Sequence, residues 1–302
     1  MTPTARRGFE PLVLLIATGG LGGSVFLLTK LAQQAGIPPL PWALAMMIGA
    51  GLALALIARL RGAPMPGAGP YLRYYALSGL LSMALPNVIL FIVLPKLGAG
   101  LASVVYTLPP ILTLLMALSV RIERPDPWRA AGIGVGLVGA LVIVLPRGSL
   151  PSPDLAGWMV LAFAIPLSVA VGNIYRTTAW PMGARPLALA AGTMLAGGGW
   201  VALALVVQGQ PGGLALLGLS PGLVFLQAAA TAVTYLLYFR LQQVAGPVYL
   251  SQIGYVMTAV GLATGTLLFG ERYSPWVWTG AGVIVVGVAL VTFGPALFRR
   301  AK

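Results

Sequence analysis

The sequence predicts an all-α polytopic membrane protein, with ten transmembrane helices arranged as two inverted five-helix repeats around a central cavity. Three observations predict it. The 302 residues are 59% hydrophobic and only 8% charged, whereas a water-soluble globular chain carries roughly 25% charged residues. Apolar runs approaching the roughly 20 residues needed to cross a bilayer core recur ten times. One helix-turn-helix unit also occurs twice, over residues 98–145 and 246–293.

The two copies superpose without gaps at a shift of 148 positions, the interval from Glu123 to Glu271. Identical pairs under that shift include Ser103 and Ser251, Glu123 and Glu271, Arg124 and Arg272, Pro127 and Pro275, and Trp128 and Trp276. Gly132, Gly134 and Gly139 likewise fall on Gly280, Gly282 and Gly287. A Trp, a Pro and an acid-base pair at fixed spacing do not arise readily from an apolar background, so the repeat is internal duplication. It divides the chain into residues 1–147 and 148–302. Five crossings per half is an odd number, so the second half enters the bilayer from the opposite face, the arrangement that supports alternating access.

In chain order the spans are read at about 11–29, 41–58, 71–94, 98–119, 129–145, 156–175, 186–207, 221–239, 247–269 and 275–294. Breakers separate them: Pro38-Pro39, Pro64-Met65-Pro66-Gly67, Pro151-Ser152-Pro153 and Pro211-Gly212-Gly213. Arg6-Arg7-Gly8-Phe9 before the first run resembles a twin-arginine export signal. Removing that run would break the repeat, so it is read as a span. Threading the spans with the N-terminus inside leaves Lys30, Lys96, Arg147 and Arg272 as the only four external cations among eighteen Lys and Arg. That asymmetry predicts two cytoplasmic termini.

Composition excludes several chemistries. The chain has no His and no Cys, and five carboxylates in all, so no metal site, thiol chemistry or cofactor is expected. The net charge of +13 is dispersed between apolar runs rather than gathered on a soluble face, which argues against a nucleic-acid partner. No Asp or Glu falls near mid-membrane, so carboxylate-driven proton exchange is disfavoured.

Polar side chains in lipid cost free energy unless paired, so their spacing marks the faces that turn inward. On the third span Tyr71, Tyr75, Ser78 and Ser82 share a face; on the fourth Ser103, Tyr106, Thr107, Pro110 and Thr113 do. The eighth carries Gln227, Thr231, Thr234, Tyr235 and Tyr238, and the ninth Ser251, Tyr255 and Thr258 with Gln252 beside them. Spans five and ten carry glycine seams instead, which permit close helix packing. A cavity walled by spans three, four, eight and nine is expected. For each single Ser or Thr the competing reading is an interhelical hydrogen bond. Asn87 lies off its stripe: either Pro86 kinks the helix and re-aims it, or Asn87 bonds carbonyls freed by that proline. Pro109-Pro110 and Pro166 likewise interrupt helices at mid-span. Asn173 and Tyr175 are read as interfacial anchors, with a gate as the alternative, Trp42, Trp128, Trp158, Trp276 and Trp278 as aromatic belts, and Lys30 and Lys96 as snorkelling cations in preference to anion attractors.

The duplicated order of Ser-containing helix, Glu-Arg turn, Pro-Trp and Gly-rich helix, at its fullest in Phe269-Gly270-Glu271-Arg272-Tyr273-Ser274-Pro275-Trp276, resembles the ten-helix EamA-type members of the drug/metabolite transporter superfamily. Within it the pattern is most similar to YddG-type amino-acid exporters. The resemblance covers the whole chain. It implies a bacterial inner-membrane carrier, monomeric or homodimeric and embedded in lipid, whose partner is a small-molecule substrate such as an amino acid. The membrane-embedded Glu of the four-helix multidrug members has no counterpart in Ala17-Thr18-Gly19-Gly20-Leu21-Gly22-Gly23.

The expected substrate-binding set is Ser78, Ser82, Asn87, Tyr106, Thr107, Gln227, Thr231, Tyr235, Ser251, Gln252 and Tyr255. The tyrosines supply an amphipathic wall, while Asn87, Gln227 and Gln252 orient the charged ends of a neutral or zwitterionic solute in a chargeless cavity. Export of nucleosides, drugs or other metabolites is the alternative. An intramembrane enzyme is the remote one, since nothing here activates a Ser or Thr nucleophile.

Overall fold

The computed structural model describes residues 3–63, 65–67, 69–90, 92–93, 108–144, 156–209, 211–269 and 275–299. Among the described residues the chain is helical: α1 (Pro3–Gln34), α2 (Pro39–Leu60), α3 (Pro70–Gly79, continued through a π turn at Leu80–Ala84 and helix at 85–90 and 92–93), α4 (Pro109–Ser119) and α5 (Pro127–Val144). The second half supplies α6 (Ala156–Thr178), α7 (Pro186–Val207), α8 (Pro221–Leu250), α9 (Ile253–Phe269) and α10 (Pro275–Arg299), with a 3₁₀ turn at Pro211–Leu219. Phe9–Gln34, Pro39–Leu60, Val160–Thr178, Pro186–Val207 and Pro221–Leu250 are long and apolar enough to cross a membrane. The apolar stretches Pro109–Ser119 and Trp278–Val291 are shorter. The expectation of ten full-length spans is therefore met at that length by five among the described residues. Proline opens α2, α4, α5, α7, α8 and α10, where its missing N–H is one of the helix-start donors that lack a partner anyway. Pro109 and Pro110 thus begin the described part of the fourth helix.

Glycine decides how the helices pair. On α2 and α7, Gly51 receives Leu195, Gly198 receives Ile48 and Gly197 lies against Met47, so the two run antiparallel. On α5 and α10, a Cβ at Gly132 would meet the Gly287 carbonyl at 2.7 Å, and one at Gly139 the Gly280 carbonyl at 2.7 Å. Rising numbers on one helix meet falling numbers on the other, so this pair is antiparallel too. Backbone meets backbone along that seam, as the seam glycines predict. Elsewhere α1 lays Gly19, Gly22 and Gly23 on Val256, Met257 and Val260 of α9 and also packs on α8. In the other half α6 packs on α3 and α4.

One end of the bundle is basic. Glu10 at the start of α1 accepts two hydrogen bonds from Arg240 near the end of α8, at 3.1 and 2.8 Å. Tyr175 near the end of α6 donates to the Arg73 carbonyl at the start of α3. Glu123 pairs with Arg129 at 2.8 Å, and the Asp126 carboxylate caps α5 through the N–H groups of Trp128 and Arg129. Trp42 departs from the expected interfacial belt. It is 2% exposed, and its indole donates to Thr29 of α1, because the short α1-α2 turn folds it inward. Trp276 and Trp278 stay exposed.

Candidate functional site

Pro86 shapes α3. The Leu85 N–H reaches back five residues to Leu80, which widens the helix into a π turn. Continuing that register would require an N–H at position 86, which proline lacks, so the Leu81 carbonyl is left free. Ser168 of α6 fills it, donating at 2.6 Å. Asn87 turns back to donate to the Met83 carbonyl at 2.6 Å; of its two expected behaviours it satisfies its own helix. The extra residue of the π turn carries Ser82 toward α6, where its hydroxyl lies directly against Gly172.

Beside Ser82 is the most unusual group in the described structure. Arg176 is fully buried. Its Nε donates to Gln242 Oε1 at 2.8 Å, and its Nη2 donates to Asn173 Oδ1 at 2.6 Å and to the Tyr238 hydroxyl at 2.5 Å. Its Nη1 donates to Ser82 Oγ. The guanidinium also lies 5.0 Å from the Tyr238 ring centroid and 5.8 Å from that of Phe239. The acceptors are themselves held: Tyr238 donates to Asn173 Oδ1, Gln242 donates to the Asn173 carbonyl and to Thr177, and Asn173 donates to Thr113. Helices α3 and α4 of the first half and α6 and α8 of the second thus meet in one buried polar junction. Every side chain accepting from the guanidinium is neutral, and no carboxylate among the described residues is within ion-pair distance of it.

Aromatic rings flank this junction toward the basic end. Tyr74 stacks on Tyr175 with centroids 5.9 Å apart and meets Trp180 edge-on at 6.4 Å; Trp180 continues to Phe239, then Tyr238 and Tyr235. Offset, tilted and edge contacts of this kind are the favoured ring geometries, and Arg176, Tyr74 and Phe239 are at most 1% exposed. The chain of rings covers the guanidinium on that side. Beside it, Gly69, Pro70, Arg73, Tyr175 and Ala179 line a depression of ≈ 510 Å³.

The expected binding residues do not converge on one point. Ser82 belongs to the junction, and Tyr235 borders it through Tyr238, 5.3 Å between centroids. Ser78 instead shares a 2.7 Å hydrogen bond with Thr193 of α7, the interhelical role that competes for any single serine. Gln227 donates to Thr231, leaving Gln227 Oε1 buried and unpartnered. Ser251 donates to the Val248 carbonyl. Gln252 is fully buried with neither polar atom partnered. Tyr255 turns from the cavity face toward the α5-α10 seam, its ring against Gly136. Gln227 lies about 28 Å of helix axis from the Gly246 bend, whereas Gln252 is six residues beyond that bend, so one small solute does not span both. Tyr106, Thr107 and Ser103 lie outside the described residues.

Two expectations are corrected here. The interior is not chargeless, because Arg176, assigned by charge asymmetry to a wetted span end, points inward from the last turn of α6. Asn173 is not an interfacial anchor either: it is 1% exposed and ties Arg176 to Tyr238 and Thr113. The sequence carries a trace of this in Ser168, Gly172 and Arg176, which recur at four-residue steps on one face of α6.

Comparison with known proteins agrees with this architecture. Residues 11–145 match the EamA-like transporter family. The chain is 30% identical to the inner membrane transporter YedA of Escherichia coli strain K12, over 91% of this chain and 88% of that protein. It is 26% identical to a probable amino-acid metabolite efflux pump of Salmonella typhimurium strain LT2, over 68% of this chain and 71% of the relative. One crystal structure shares the fold with a TM-score of 0.74 at 19% identity, covering 93% of this chain and 98% of the other. Helical architecture, buried polar junction and relatives coincide: the chain is a multi-pass transporter of the bacterial inner membrane and belongs to the EamA-type branch of the drug/metabolite transporter superfamily.

Proposed function

We propose that this transporter exports small neutral or zwitterionic metabolites, amino acids foremost, by alternating access of two inverted five-helix halves and without a membrane-buried carboxylate. The observation that carries the reading is the junction of Ser82, Thr113, Asn173, Arg176, Tyr238 and Gln242, drawn from both halves and covered by rings toward the basic end. A carrier closed at one face needs such a shared, breakable contact between its halves.

Packing supports the inversion. Helices α2 and α7, and α5 and α10, are partners under the 148-position shift, and each pair is antiparallel. A two-fold axis in the membrane plane relates helices in that way, whereas an axis along the membrane normal would make them parallel. The docking of α1 on α8 and α9 is echoed by that of α6 on α3 and α4. For the solute class, the Salmonella relative is named as an amino-acid metabolite efflux pump, and the groups bordering the junction are hydroxyls, amides and aromatic faces that suit an amphipathic zwitterion. Of the expected binding set, Ser82 belongs to this junction and Tyr235 borders it.

The test is uptake of a labelled amino-acid panel into proteoliposomes, with and without a pH gradient. Flux above empty vesicles and indifferent to the gradient is expected. Flux equal to empty vesicles across the panel overturns the reading, and adding labelled nucleosides distinguishes the nucleoside alternative.

A further inference from the structure

We infer that Arg176 is the receptor for the substrate's carboxylate, so that the carrier selects solutes bearing an anionic group; this rests on the amino-acid reading above. A guanidinium is permanently charged and offers five N–H donors. Here four hydrogen bonds reach Gln242, Asn173, Tyr238 and Ser82, all uncharged. Burying an ion is costly unless an opposite charge compensates it, and dipoles offset that cost only in part. A structural tie between helices would be made at lower cost by a neutral amide. A buried cation held by neutral acceptors is what an anion-binding carrier needs in the half of its cycle that carries no anion.

The surroundings divide into a frame and a removable part. Gln242 and Asn173 are fixed: Gln242 donates to the Asn173 carbonyl and to Thr177, and Asn173 sits one turn before Arg176 on α6. They hold the guanidinium plane by Nε and one hydrogen of Nη2. Ser82 takes one hydrogen of Nη1 and Tyr238 the second hydrogen of Nη2. Those two nitrogens form the edge that a carboxylate grips with two parallel hydrogen bonds. Ser82 stands on the π turn of α3, in the first half of the chain, whereas Arg176 stands in the second. Separating the halves at the basic end withdraws Ser82 and frees Nη1, and an arriving carboxylate completes its two-point grip by displacing the Tyr238 hydroxyl from Nη2, with the Tyr238 and Phe239 rings beside it for the apolar part of the solute. Returning Ser82 to Nη1 replaces the carboxylate and favours its release.

The experiment compares leucine with leucinol and phenylalanine with phenylalaninol, each pair differing in the carboxylate, in proteoliposomes holding wild type, Arg176→Gln or Arg176→Lys. Expected are wild-type preference for the acids and, in Arg176→Gln, a fall in the acid-to-alcohol flux ratio of roughly 10- to 100-fold, the value of one charge-assisted contact. Arg176→Lys, which keeps the charge without the paired donors, recovers part of the preference. Equal loss of acid and alcohol flux, or no change in either, reduces Arg176 to a structural tie and overturns the inference while the carrier reading stands. Wild-type flux of acids and alcohols alike also overturns it. Absence of wild-type flux for all four solutes rejects the amino-acid reading and this inference together. If Arg176→Gln does not fold, thermal stabilisation of wild type by leucine but not leucinol supports the inference, and equal effects or none overturn it.

Discussion

Gln242 shows how much rests on single side chains at the buried junction. Its Oε1 accepts from Arg176 and its Nδ-equivalent amide nitrogen, Nε2, donates to two groups on α6. Gln242→Leu keeps the volume but strips the guanidinium of one acceptor and leaves a buried cation underbonded. That loss is expected to cost about 1–3 kcal/mol, read as a fall in the detergent unfolding midpoint; an unchanged midpoint would show that the junction is not formed as described. The Glu10–Arg240 pair is the counterexample. Both side chains are nearly half exposed, and solvent-exposed pairs contribute only about 0–1 kcal/mol. Glu10→Gln is therefore expected to leave the unfolding midpoint nearly unmoved.

Among the elements, α3 carries the most information in its irregularity. Pro86 prevents a regular helical register and the π turn follows, which rotates the preceding residues and sets Ser82 against Gly172 and Arg176. Pro86→Ala restores an N–H and permits a regular α-helix. The expected outcome is a protein at least as stable to heat as wild type but slower in proteoliposome flux, because Ser82 swings away from Arg176; unchanged flux would separate the π turn from transport. Pro86 and Asn87 were legible as an irregularity in sequence. The direction in which Ser82 points was not, because the stripe of Tyr75, Ser78 and Ser82 assumes regular α-helical spacing, and the π turn at Leu80–Ala84 inserts a register shift between Ser78 and Ser82. The glycine seam of α5 and α10 was legible at Gly132, Gly136, Gly139 and Gly287, since close backbone approach admits only small residues, whereas a Cβ at Gly134 or Gly282 would meet open space, because those two face away from the partner helix. At Gly287 an added Cβ would meet the Gly136 N–H nitrogen at 2.6 Å and the Gly132 carbonyl at 2.7 Å. Gly287→Val is expected to destabilise by about 1–3 kcal/mol through overpacking, again read as a lowered unfolding midpoint.

For the whole molecule, duplication was the strongest signal, because Trp, Pro and paired charges repeat at one spacing and seams at equivalent positions pack together. Charge asymmetry gave the basic end but misjudged Arg176: the rule reports how far along the membrane normal a residue sits, and says nothing about which way its side chain turns. Gln227 and Gln252 misled in the same manner, since polarity marks burial without marking depth. The central claim is that the two halves are inverted, and it is tested most directly by single-cysteine labelling. The native chain has no Cys, so Arg124→Cys and Arg272→Cys each introduce one thiol, at repeat-equivalent turns, for a membrane-impermeant maleimide in oriented vesicles. The account predicts labelling from opposite faces, inner for position 124 and outer for position 272. Labelling of both from the same face would contradict it.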